Sequence, residues 1–89
     1  MEAMPRISSF YGILIYMYYM DHNPAHFHAI YGDYEAIFDI NTLGLIKGNL
    51  PPKAIVLVEE WASLHQSELL ENWSRVKNNE ALKTIEPLR

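Results

Sequence analysis

Three of the four histidines fall within seven residues, in the string Asp21-His22-Asn23-Pro24-Ala25-His26-Phe27-His28. No other stretch of the chain gathers histidines at that density. Side chains alternate along a strand, so an extended His26-Phe27-His28 puts both imidazoles on one face and Phe27 on the other. Phe27 then packs inward and the imidazoles face solvent together. His22 arrives from the preceding loop, and Asp21 or Glu35 can add a carboxylate. Imidazole nitrogens and carboxylate oxygens hold divalent transition metals such as Zn, Ni, Cu or Fe, and the spacing does not choose among them. The metal reading takes His22, His26 and His28 as ligands and expects their ring nitrogens to converge on one point.

The same residues, His22, His26 and His28, support a second chemistry as catalytic groups without a metal. Imidazole titrates near neutrality, so a pair can supply a base that activates a ribose 2′-hydroxyl and an acid that protonates the leaving 5′-oxygen. Tyr31, Tyr34 or Lys47 would orient the phosphate, with Lys53 as a further cation. The plain alternative to both is a solvated strand face with His22 capping a turn. His65 falls on the apolar side of a helical pattern between Trp61 and Leu69, which suits a buried or half-buried histidine bonded to the sheet better than a fourth ligand. Trp61 and Trp73 are the natural core anchors of that helix. Glu59, Glu60, Glu68 and Glu71 form a solvated face that could instead meet a basic partner.

These side chains need elements to position them. Ile7 to Met20 is rich in β-branched and aromatic residues on both alternating faces and predicts a first strand, with Gly12 a bend or bulge within it. Asp21 to Pro24 predicts a tight loop. His26 to Tyr31 and Tyr34 to Ile40 predict a hairpin around Gly32-Asp33, and Leu45 to Gly48 a shorter strand after the turn at Asn41 to Gly44. Pro51-Pro52 starts a helix. Ala54, Val58, Trp61, Ala62, His65, Leu69, Trp73 and Val76 then recur at three- and four-residue spacing, which predicts one long helix from Pro52 to Val76, bent near Ser63 or Ser67 and ended by Asn78-Asn79. Leu82, Ile85 and Leu88 are tail anchors. The fold class expected is α+β: a three- to four-stranded antiparallel sheet packed against one long C-terminal helix.

At 89 residues the chain holds one hydrophobic core, a single domain over residues 4–89. Core burial in so short a chain is barely ahead of chain entropy, so a homo-oligomer or a protein partner is expected. The first strand, apolar on both faces, points the same way, unless the tail folds back over one of them. Seven Lys and Arg against eleven Asp and Glu leave a net charge of −4, which disfavours RNA held by phosphate neutralisation. There is no cysteine, hence no disulfide framework, thiolate zinc site or cysteine nucleophile, which fits a cytoplasmic protein. The apolar run Phe10 to Met20 is about half of a bilayer span, so no membrane association is expected.

The strings Met4-Pro5-Arg6-Ile7, Phe10-Tyr11-Gly12, Asp21 to His28, Tyr31-Gly32, Trp61, Leu64-His65, Glu68 to Trp73 and Ile85 to Leu88 together resemble the bacterial DUF4160 family over Met4 to Leu88. The resemblance makes Met4 the customary start. It implies a small protein of unsettled activity, found beside DUF2442-type proteins in toxin–antitoxin-like pairs. The family signature His-Asn-Pro-Pro-His-Phe-His falls on His22, Asn23, Pro24, His26, Phe27 and His28, with Ala25 in place of the second proline. A basic residue that many relatives carry near Tyr16 is absent, which weakens a phosphate-binding role. Three function classes follow. The first is a protein-binding component of a toxin–antitoxin-like pair with the His-rich segment as its site. The second is a histidine-dependent ribonuclease toxin, and the third is a metal-binding protein or hydrolase.

Overall fold

The computed structural model describes residues 5–89, so Met4 as a starting point lies outside the described residues. The chain forms strands β1 (Arg6–Phe10), β2 (Ile13–Tyr16), β3 (His26–Tyr31), β4 (Tyr34–Asp39) and β5 (Leu45–Gly48), then helices α1 (Pro52–Leu64) and α2 (Gln66–Lys77). All five strands make one antiparallel sheet in sequence order. The α+β class is as expected; the strand count and the single helix are not.

The extra strand comes from dividing the first predicted one. Tyr11 and Gly12 both have positive φ, 50° and 80°, and they fold residues 6–16 into a tight hairpin. Two successive left-handed residues match the right-handed twist of the flanking strands, a role usually given to Asn-Gly. A tyrosine in the first position hides that signal, which is why Gly12 suggests only a bulge from sequence.

The long helix is likewise two. Ser63 Oγ bonds back to the Glu60 carbonyl at 2.8 Å, offering the backbone a competitor to the helical ladder. His65 then leaves helical geometry at φ −127° and ψ 26°, between the two serines where a bend was expected. Its amide bonds the Ala62 carbonyl, and the Gln66 side chain ties the corner to the carbonyls of Ile40 and Asn41. The half-buried His65 ring meets Glu68 and the Trp61 face, and none of its hydrogen bonds reaches the sheet. Asn78 and Asn79 end α2 as the sequence suggested, Asn79 with a left-handed φ of 58°.

One sheet face packs on the helices through Ile7, Phe10, Ile13, Ile15, Phe27, Ala29, Ala36 and Phe38 with Val58, Trp61, Ala62 and Leu69. Trp61 is wholly buried against the rings of Phe10 and Phe27. The tail docks on the body: the Ile85 amide bonds the Ile7 carbonyl on the free edge of β1, and Trp61 Nε1 donates to the Glu86 carbonyl at 2.8 Å. Asn72, buried in α2, exchanges two hydrogen bonds with the Lys83 backbone. The tail thus guards one sheet edge and leaves β5, exposed at all four residues, as the other. No helix among the described residues is long and apolar enough to cross a membrane.

Candidate metal centre

On the sheet face away from the core, Tyr16, His28, Ile37 and Lys47 stand side by side, because directly opposed residues of antiparallel strands share a face. His26 lies two residues before His28 on the same face, as the strand period requires. The shared face is as expected, but the solvent exposure is not. Both histidines are buried, at 9% and 8% relative exposure. The segment between β2 and β3 folds over them and brings Asp21 and Tyr18 onto the sheet, with the Tyr18 ring edge-on to His28 at 4.5 Å and stacked on Tyr16. Trp73 of α2 covers His26 at 5.2 Å. Lys77 lies over that tryptophan and donates from Nζ to the Asp21 carbonyl at 2.9 Å, fastening the loop to the end of α2.

Asp21 Oδ2 stands 3.0 Å from His26 Nε2 and 2.9 Å from His28 Nε2. The other ring nitrogens have their own acceptors: His26 Nδ1 the Pro24 carbonyl at 2.7 Å, and His28 Nδ1 Glu35 Oε2 at 3.2 Å. A carbonyl and a carboxylate can only accept, and the Asp21 carboxylate is such an acceptor too, so both nitrogens of both rings face acceptor oxygens. In the tautomer that keeps the proton on Nδ1, both Nε2 lone pairs face the same carboxylate oxygen. The two Nε2 atoms meet at that oxygen, and the three are held together by shared protons or by a cation. The three donor atoms lie within 4.8 Å of one another. Ligand bonds of about 2.1 Å place neighbouring donors roughly 3.0–3.4 Å apart, close to the two separations from Asp21.

The expectation of a three-histidine cluster needs correction. His22 is exposed and stands outside the converging set, and Asp21 takes its place. Each adjoining carboxylate has its own job: Asp21 meets both Nε2 atoms, while Glu35 meets only the far nitrogen of His28. Histidine spacing alone could not separate these roles. The signal available was the i, i+2 face-sharing of His26 and His28; which flanking acid closes on them depends on how the loop folds back.

The site is acidic. Burial raises the Tyr18 phenol above its ordinary pKa, and the nearby charges of Glu35 and Asp21 reinforce it, with Tyr16 adding to the effect. Of the groups expected to hold a phosphate, Lys47 is two strands from His28 beside a 290 Å³ cleft that it shares with Glu35, Ile37 and Gly48. Tyr31 and Tyr34 close the turn at the far end of β3, about 17 Å from His26 at strand rise. Lys53 lies at that end too, lining a larger cavity of 630 Å³ between the two hairpin turns and the start of α1. That cavity is apolar and remote from the histidines, so it adds nothing to their chemistry.

The fold and its Asp-His-His cluster, with both histidines buried, define a small α+β protein with an unassigned polar centre on the sheet face away from the core. Residues 12–74 match the family model described as "Domain of unknown function (DUF4160)", which is more than half of the chain. The chain belongs to that family. The matched span contains Asp21, His26, His28 and Glu35, whereas β1 and the C-terminal tail lie outside it. No curated protein and no solved structure matches the chain.

Proposed function

We propose that this protein binds a divalent transition metal through Asp21, His26 and His28, and that this centre is its functional site. The observation that carries the reading is the orientation of the two imidazoles. Each has an acceptor oxygen at its Nδ1 and its Nε2 aimed at Asp21 Oδ2. Ligating histidines characteristically donate their second N–H to a carbonyl or carboxylate, which sets the tautomer and raises basicity. Two nitrogens and one oxygen suit Zn, Fe, Co or Ni and leave positions for a further ligand. When bound, the ion would supply Lewis acidity or an activated water there. The ribonuclease reading is less well supported, since carboxylates meet both histidines and would repel a phosphodiester.

Calorimetric titration of the chelator-treated, untagged protein with Zn²⁺, Ni²⁺ and Co²⁺ tests this. One ion per chain is expected, with binding lost in His26→Ala and Asp21→Asn and kept in His65→Ala. Failure of all three ions to bind, or an unchanged affinity in both site variants while the fold persists, would refute it.

A protein partner of the DUF2442 type, in a toxin–antitoxin-like and cytoplasmic setting, is the second reading. What favours it is β5, an uncovered edge strand with Leu45 and Ile46 both exposed, which could accept a partner strand. Amide exchange at residues 45–48 should slow when such a partner is added. Unchanged exchange in a formed complex removes strand addition from consideration.

A further inference from the structure

His22 is the one histidine of the signature that the site leaves unused. It is exposed, it adjoins the ligand Asp21, and in its own chain it stands apart from the three donors. The centre is correspondingly short of one donor: three protein ligands leave a tetrahedral ion a vacant corner, whereas structural tetrahedral sites are filled by four. The corner is reachable, because the Asp21 side chain retains 24% of its exposure and the segment around it (Met20, His22, Asn23, Pro24) is wholly at the surface.

We infer that the metal centre is completed by a second copy of this chain, the His22 of each copy supplying the fourth ligand to the ion held by Asp21, His26 and His28 of the other. The inference rests on the metal reading above. The donor His22 adjoins Asp21 in one loop, so a two-fold axis beside that loop would bring each His22 to the other copy's site, the isologous arrangement of most homodimers. Met20, at 85% exposure, borders the same loop and gives the facing copy an apolar side chain to cover. A domain of this size has a small core of its own, and association through the ion adds burial it cannot supply alone.

The test is mass in solution by light scattering during sedimentation or gel filtration, at about 50 μM chain with and without one equivalent of Zn²⁺. The wild type should double in mass on loading and return to monomer with chelator. His22→Ala should still take up one ion per chain, with weaker affinity, and remain monomeric. A mixture of His22→Ala, which keeps a vacancy but no donor, with Asp21→Asn, which keeps the donor but lacks a site, should give a dimer carrying one ion, although neither variant dimerises alone. A wild type that stays monomeric when fully loaded overturns the inference and assigns the open position to water, a substrate or His22 of the same chain. Equal dimerisation of His22→Ala overturns it too. Absence of any metal uptake by the wild type defeats the metal reading itself, an outcome distinct from a loaded monomer.

Discussion

Replacing Glu35 with glutamine separates stability from metal affinity. Glu35 is about half exposed, and its single contact with the site is the 3.2 Å hydrogen bond from His28 Nδ1. Glu35 is open to water although His28 is buried, and glutamine keeps the acceptor, so Glu35→Gln should unfold within about 1 kcal/mol of the wild type. The amide oxygen still accepts from Nδ1–H, so the ring keeps its tautomer and direction, but the negative charge that makes Nε2 a stronger donor is gone. Loss of such an outer carboxylate lowers metal affinity about 10- to 100-fold, or roughly 1.4–2.7 kcal/mol. Glu35→Ala removes the acceptor as well and should fall at or beyond the upper end. The assay is competition for Zn²⁺ against a chromophoric chelator, paired with urea unfolding of the metal-free proteins. Wild-type affinity in both variants would refute the role of Glu35 and, with it, the argument that Nδ1 bonding marks the rings as ligands. A matching loss of metal-free stability would make Glu35 a structural brace.

Trp61→Ala should cost about 3–5 kcal/mol, a large part of the roughly 4–13 kcal/mol available to 89 residues at typical stability per residue. Denaturant melts should lose cooperativity, and a parent-like melt would contradict its place at the centre of the core. Gly48→Ala should also destabilise strongly. Gly48 has φ +82°, and a Cβ there would stand 2.1 Å from the Glu35 carbonyl oxygen, prising β5 from the strand that presents Glu35. Both urea stability and metal affinity should fall. Arg75→Ala should raise the Glu71 pKa. The hydrogen bonds from Arg75, and then the charge of Lys83, hold that carboxyl below its ordinary range. A carboxylate lowered on folding stabilises the native state above its unfolded pKa, and the effect is lost as pH falls through the lowered value. The small stability difference between variant and wild type should therefore vanish in acid, and carboxyl NMR titration reads the shift directly.

Local pattern determined much of this protein. The period of two over His26 to Tyr31 and Tyr34 to Asp39, the Gly32-Asp33 turn, the proline start of α1 and the asparagine end of α2 depend on neighbours in the chain, and all are legible there. So are the burial of Phe27 and Trp61 and the pairing of His26 with His28 on one face. Two breaks were hidden because their local chemistry is atypical: a tyrosine in a left-handed turn position at residue 11, and a helix interrupted at His65 by contacts that lie distant in sequence, Gln66 to Ile40 and Asn41. The make-up of the site was beyond any spacing rule. His22 and Asp21 are adjacent, and which one closes on His26 and His28 is decided by the path of the loop, itself held by Lys77, fifty-six residues away in α2. Alternation along a strand can set two imidazoles side by side; only the packed loop, the helix end and the neighbouring strand could bury them, choose the aspartate and aim both Nε2 atoms at one point.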